Sequence, residues 1–456
     1  IYFKTDRSDW CKFEVACETF SCSFPISSNT NQETSNIHKV IRSSANRSIP
    51  LSKAKPFRPS PLWWSTELSA LRDKKQNAWH DFKRNRTQSN LILYKKCNAL
   101  FRRSAKNAKI RSFQKFTSSI SASSDTKKIW ADIKRLTGSP THSPITSLNS
   151  SQGNILYPHD IALELATHFS NASSDSSFPP EFSACKLSQL HSRHPISLSL
   201  SSSSKQVDAD LSLQELQFAL LTVKSSTPGF DKISYPIIKH LPLSLLSRLL
   251  KHYNNIFSTG NYPILWKTSS IIPILKPGKP QSEASSYHPI SLLPCLGKLL
   301  EKIIASRLSC YVHVNNLIHH NQVAFKRGQG TVDALLHFDH FVSVALSKKN
   351  HISLLSLDFA KAFDRIGIQV VLRQLDKWKV GPKIFNFIKS FLSSRKISVL
   401  ISNVRSPMFP LDNGTPQGSP LSVILFTIAF DELSSIFSQF PNVSHQMYAD
   451  DIVIGF

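Results

Sequence analysis

Asp358 and the pair Asp450-Asp451 are the residues of this chain best suited to chemistry. Carboxylates on two separate strand ends can hold two hard divalent cations against a nucleotide triphosphate. Asp358 stands in Leu357-Asp358-Phe359-Ala360-Lys361-Ala362-Phe363-Asp364, and Asp450 follows it by 92 positions in Tyr448-Ala449-Asp450-Asp451. Between them lies Gly414-Thr415-Pro416-Gln417-Gly418-Ser419-Pro420-Leu421-Ser422. A paired Asp alone most often caps a turn, but three ordered motifs at these separations make a specific signal. The segment 352–357 reads as a buried strand delivering Asp358 at its end. Met447-Tyr448 and Ile452-Val453-Ile454 read as hairpin arms with Asp450 and Asp451 at the tip. Such a site suits in-line attack of a 3′-hydroxyl on the α-phosphate of a nucleotide.

The three segments resemble the A, B and C motifs of reverse transcriptases, and their surroundings are similar to the non-LTR (LINE-type) retrotransposon branch. Upstream, Ser286-Tyr287-His288-Pro289-Ile290-Ser291-Leu292-Leu293-Pro294 resembles the LINE segment YRPISLLP, and Gln322-Val323-Ala324-Phe325-Lys326-Arg327-Gly328-Gln329-Gly330-Thr331 resembles QxGFRxGxST. The resemblance implies an RNA-directed DNA polymerase with Asp358, Asp450 and Asp451 as catalytic ligands of two Mg2+ ions, or Mn2+ in their place. It implies nucleotide-binding roles for Phe359, Phe363, Gln417, Gly418, Lys326 and Arg327. Phe363, five residues past Asp358, falls where the family places a ring under the incoming sugar, and a flat ring there excludes a ribose 2′-hydroxyl. Asp364 reads as a cap or ion-pair partner. The implied partners are template RNA, a DNA primer and deoxynucleoside triphosphates, with no membrane, in the nucleus and cytoplasm of a cell.

The chain departs from the family pattern where His288 and Lys326 replace arginines. Lysine keeps the charge without the bidentate fork, and histidine is largely neutral at physiological pH. Ala324, Gly330 and Val423 depart as well. An alternative reading is therefore a catalytically silent remnant that only binds nucleic acid.

The elements that must position these residues give an α+β pattern. Helices are expected near 242–258, 294–315, 329–348, 367–377, 382–393 and 419–438, alternating with short apolar strands. Ser212-Leu213-Gln214-Glu215 fits a capping box that opens this part. By resemblance, 209–456 is the fingers and palm of a right-hand polymerase with a small antiparallel sheet, truncated after motif C, with the thumb absent. Residues 139–208 are rich in Ser and Pro and read as a linker with one helical island at 160–169. Residues 1–60 carry little pattern and suggest the end of an upstream endonuclease.

The chain of 456 residues carries a net charge of +25, and the excess is concentrated. Residues 51–140 hold 21 Lys and Arg against five acids, a net +16. That points to a polyanionic partner, nucleic acid or an anionic surface. Residues 61–138 read as a basic helical segment in which Lys95, Lys96, Arg102, Arg103, Lys106, Lys109 and Arg111 bind nucleic acid, with aromatic residues interleaved. The segment 129–138 is similar to the stretch between endonuclease and polymerase in LINE-type elements. The seven cysteines form no close CxxC pair and read as reduced, mostly buried small hydrophobes. No apolar run approaches the ~18 residues of a transmembrane helix.

Overall fold

The computed structural model describes residues 2–52, 61, 63–121, 129–130, 133, 145–150, 153–191, 207–224, 226–326, 328–441 and 443–456. It mixes helices and sheets in two compact units, Lys53–Pro144 and the remainder. Arg327 and most of 129–138 lie outside the described residues.

The smaller unit is built on two helices, α3 (Thr66–Arg84) and α4 (Gln88–Ser118), which follow α1 (Trp10–Ser23) and α2 (Thr30–Ser48) in the chain. Ser65 and Thr87 cap them by accepting from the backbone N–H of Leu68 and Asn90. Their seam is aromatic: Trp64 meets Phe101, and Trp79 meets Tyr94, with centroids 6.1 and 4.9 Å apart.

In the larger unit a hairpin, β1 (Leu148–Ser150) and β2 (Gly153–Ile155), precedes α5 (Pro158–Ser173), α6 (Pro180–His191), α7 (Leu213–Thr222), α8 (Tyr235–Lys239), α9 (Leu243–Thr259) and α10 (Ile264–Lys267). Then come β3 (Thr268–Leu275), β4 (Tyr287–Leu292), α11 (Cys295–Val314), α12 (Thr331–Ser347), β5 (Leu354–Asp358), α13 (Ala362–Arg365), α14 (Ile368–Lys377) and α15 (Pro382–Leu392). The last elements are β6 (Arg395–Ile401), β7 (Val404–Arg405), β8 (Phe409–Leu411), α16 (Pro420–Phe437), β9 (Ser444–Tyr448) and β10 (Asp451–Gly455). One sheet has the order β5-β10-β9 and is antiparallel. The other has the order β4-β3-β6-β7 with β8 also on β6, and only the β3–β6 pair is parallel.

The sequence expectations need correction in five places. Residues 2–52 are not unpatterned: they form α1 and α2 and contribute to the core of the larger unit. Phe13, Ile37, Val40 and Ile41 are fully buried in the core shared with α9, α11, α15 and α16. Burial of side chains of this size stabilises by about 1.5–3 kcal/mol each. Arg248 on α9 completes the attachment with two bonds to Glu33 and others to the carbonyls of Phe24 and Pro25. The pattern is muted because the helix opens with Thr30-Asn31-Gln32-Glu33, a capping sequence poor in apolar residues.

Nor is the described part of 139–208 a loose linker. Ile161, Ala162, Leu165, Ala166 and Phe169 form one face of α5 and pack on Ile271, Ile397, Val399 and Ile401 of the larger sheet. The expected start at 209 also moves, because Asp208 accepts from the backbone N–H of Lys383 and Ile384 and so caps α15.

Third, β5 is exposed rather than buried, with Leu354 and Leu355 each 47% accessible at the sheet edge. Fourth, Cys11, Cys22 and Cys310 are exposed, and only Cys17 and Cys295 are buried among the cysteines whose side chains are described. Finally, among the described residues one helix, Pro420–Phe437, is long and apolar enough to cross a membrane. Leu421, Leu425, Phe426, Ile428 and Phe430 of that helix fill the main core, which accounts for its apolarity.

Candidate active site

The β9–β10 hairpin turns through Ala449 and Asp450, with Ala449 in the left-handed region at φ 56°. That tight turn delivers Asp451 as the first residue of β10, where its register partner on β5 is Asp358. Buried Met447, Ile452 and Ile454 anchor the hairpin in the main core. Asp358 and Asp451 are exposed and Asp450 is half-buried, so carboxylates collect at one end of the three-stranded sheet. Among the described residues no group of three His, Cys, Asp or Glu side chains closes into a metal-binding cluster. The donor set still fits magnesium. It is all oxygen, and two like charges directly opposite on paired strands are unfavourable unless a cation lies between them.

Phe359 is exposed beside Asp358, with its ring edge-on to Phe430 at 5.0 Å. Phe363 is half-buried and stacks on Phe426, with centroids 4.5 Å apart and planes 23° apart. It leads a run of rings, since Phe426 stacks in turn on Phe430 at 4.2 Å.

The loop 414–420 is held from several sides. Gly414 donates to the Ile366 carbonyl, Thr415 donates to that of Phe363, and Ser291 of β4 donates to that of Gln417. Gly414 has φ 85° and passes so close to Asp364 that a Cβ would lie 2.5 Å from its carbonyl oxygen. Gly418 has φ 126°, and its tight neighbour is the Ser291 carbonyl of β4. Both of these close approaches are to the protein's own backbone. The Gln417 side-chain amide donates to Asp364 Oδ1 at 2.9 Å. Burial raises the Asp364 carboxyl above the usual carboxylate range, opposed by that bond and by His288, Lys361 and Lys276. Asp364 was expected as a cap or ion-pair partner; its side-chain bond is instead to a neutral amide.

Lys326 points inward. Its ammonium donates to the His319 carbonyl at 2.9 Å, and burial lowers its pKa, opposed by Asp431. His288 is exposed on β4 opposite Ile274. Residues that sequence reasoning missed also meet here. Lys361, in the left-handed region at φ 57°, reaches His168 of α5 at 3.2 Å. Asn413 donates to the Ser173 carbonyl and to Asp175. No periodicity marks either contact, because both join segments far apart in the chain.

In the smaller unit Lys95, Lys96, Arg102, Arg103, Lys106, Lys109 and Arg111 are all exposed on α4. Lys109 lies over the Trp63 ring and Lys75 over Phe101, at 4.8 and 5.2 Å from the centroids. Cations lying over rings form a surface that can meet both phosphates and bases.

Residues 274–456 match the family described as reverse transcriptase (RNA-dependent DNA polymerase). The chain is 36% identical over 219 residues to the RNA-directed DNA polymerase from mobile element jockey of Drosophila funebris, covering 48% of this chain and 24% of that protein. Its counterpart in Drosophila melanogaster is 30% identical over 303 residues, 66% of this chain and 32% of the relative. The probable RNA-directed DNA polymerase from transposon BS of Drosophila melanogaster is 31% identical over 243 residues, 51% and 26% of the two chains. The chain therefore spans about a quarter to a third of the length of these relatives.

Proposed function

We propose that the chain is a reverse transcriptase of the non-LTR retrotransposon kind, to which it is similar through residues 274–456, and that it extends a DNA primer with deoxynucleotides on an RNA template. The observation that carries this reading is the register that sets Asp451 opposite Asp358, with Asp450 in the adjoining turn. In this reading β5, β9 and β10 are the palm sheet, and β3 and β4 belong to the fingers.

Asp358, Asp450 and Asp451 would hold the divalent ions. Two bound magnesium ions would lower the pKa of the primer 3′-hydroxyl and neutralise the leaving pyrophosphate. The remaining work falls to the chain's own residues. Phe363, braced by Phe426, presents a flat ring to the sugar and selects against a 2′-hydroxyl. Asp364 orients the Gln417 amide toward the incoming nucleotide or template, and Gly418 lies exposed beside it. Phe359 supports the same pocket. Lys326 acts on the triphosphate only if nucleotide binding frees it from His319; Arg327 is the other cation assigned there. The cations of α4 grip the phosphates of the RNA.

Primer extension on an RNA template in magnesium, run beside the Asp450→Ala/Asp451→Ala double variant, tests the reading. Synthesis by the parent and none by the variant supports it. A second reading, a silent chain that only binds nucleic acid, draws on the open carboxylate cluster and the engaged Lys326. No synthesis by either protein, with salt-sensitive RNA binding retained by both, would favour that one.

A further inference from the structure

Glu301 is a fully buried carboxylate near the middle of α11. Both of its oxygens accept from hydroxyls, Oε1 from Tyr262 and Oε2 from Ser419, each at 2.5 Å. Ser419 also accepts from the Leu421 backbone N–H at 3.1 Å, which caps α16. One hydroxyl therefore both caps this helix and ties it to α11. Gly297, one turn earlier on α11, makes the approach possible, since a Cβ there would lie 3.0 Å from the Tyr262 hydroxyl and 3.1 Å from the Trp266 ring. A cation nearby is Arg395, buried at the start of β6 and in favourable electrostatic interaction with the Glu301 carboxylate. Its Nη1 donates to the Phe391 carbonyl.

A buried carboxylate is costly unless its acceptors are filled, so this arrangement is an anchor with little freedom to shift. What it anchors is the end of the loop 414–420, two residues past Gln417. The other end is fixed by Gly414 and Thr415 to the backbone of Ile366 and Phe363. We propose that Glu301 is a positioning residue for the nucleotide-facing loop, holding Ser419 so that Gln417 and Gly418 stand at a fixed distance from the carboxylates. The proposal rests on the polymerase reading for its kinetic effect but not for its structural one.

Glu301→Gln replaces one acceptor oxygen with a donor while keeping the shape. Either Tyr262 or Ser419 then faces an amide donor and must turn its own hydrogen elsewhere, giving up its bond to a charged acceptor. Losing a hydrogen bond to a charged group is worth about tenfold or more in an equilibrium constant. Two measurements test the idea. In hydrogen–deuterium exchange the amides of Gln417, Gly418, Ser419 and Leu421 should exchange about tenfold faster in Glu301→Gln and in the milder Ser419→Ala, while those of α9 keep their protection. Unchanged exchange in 417–421 in both variants overturns the proposal whether or not the chain polymerises.

In primer extension Glu301→Gln should raise the KM for deoxynucleotide about tenfold, and less than about twofold when Gln417→Ala is already present. A simple loss of folded protein lowers kcat in both backgrounds and leaves KM alone. The same KM ratio in both backgrounds also overturns the proposal. Faster loop exchange in a protein whose parent shows no synthesis would refute the polymerase reading and leave the anchor standing.

Discussion

Asp451 is the register partner of Asp358 across the β10–β5 ladder, so two exposed carboxylates face each other at the sheet end. Residues directly opposite on antiparallel strands share a face, and like charges there cost roughly 0.2–1 kcal/mol. A divalent cation between the two carboxylates would relieve that cost. The pair therefore sets an expectation that can be read without catalysis.

Magnesium at millimolar concentration should raise the unfolding temperature of the parent protein. Asp451→Asn should raise it without magnesium, by removing the repulsion, and should blunt the further gain when the ion is added. Differential scanning fluorimetry across a magnesium series checks both signs. Equal gains in parent and variant would place the ion elsewhere.

Gly414→Ala should destabilise the protein by about 1–3 kcal/mol, because the residue holds a left-handed backbone against the Asp364 carbonyl. Urea unfolding measures the loss. Nucleotide selection should fall with it, since Asp364 is also the partner of Gln417. A stable Gly414→Ala protein would show that the loop can move away from α13.

Phe363→Ala should admit ribonucleotides and also cost stability, about 1–3 kcal/mol given that the ring is only half-buried on Phe426. Phe363→Leu separates the two effects, because it keeps more of the packing while losing the flat face. Extension with ribonucleotides in place of deoxynucleotides reads the gate. Unchanged sugar preference in both variants would leave Phe363 as a core residue alone.

Neutralising Lys95, Arg102, Lys106 and Lys109 together should flatten the salt dependence of RNA affinity. Every RNA phosphate that the variant no longer neutralises takes roughly 0.7 from the slope of log K against log salt for a single strand. Fluorescence anisotropy at several salt concentrations reads this directly. An unaltered slope would move the RNA grip off α4.

Acid should destabilise the fold through histidines buried in the neutral form. Burial holds His38 near a pKa of about 3 and His252 and His445 near about 4, against an ordinary 6.5. The unfolded chain takes up protons at these sites from about pH 6.5 downward while the folded chain does not, so their stability is lost as pH falls from 6.5 toward 4. Asp231, 3.4 Å from His38, opposes this: burial raises it to about 7, and its contribution is lost as pH rises from about 4 to 7. In His38→Gln, where the glutamine oxygen can still accept from Trp266, the fall in unfolding temperature between pH 6.5 and 4.5 should be shallower than in the parent. Parallel curves for the two proteins would rule out this role for His38.

Much of the frame around the candidate site residues was legible because it is written locally. The helix expected at 242–258 is Leu243–Thr259, that at 294–315 is Cys295–Val314, and the hairpin expected to turn at Asp450-Asp451 turns one residue earlier, at Ala449-Asp450. Ser212 and Glu215 form the expected capping box. Contacts between distant segments left no comparable trace. Glu301 sits among apolar neighbours on α11 with no local cue that its partners are Tyr262 and Ser419. The face of α5 was visible as a helical island, but its sheet partner was not. Lys326 was assigned to the nucleotide by resemblance, since a sequence cannot show that a carbonyl such as that of His319 lies within its reach.

The larger unit is interrupted between Ser52 and Ile145. At the point of departure Tyr2 and Ser52 exchange hydrogen bonds, Tyr2 N–H to the Ser52 hydroxyl and Ser52 N–H to the Tyr2 carbonyl, each 2.8 Å. The larger unit thus ties off its own chain with its own backbone before the basic arm begins, and that tie uses no residue of the arm.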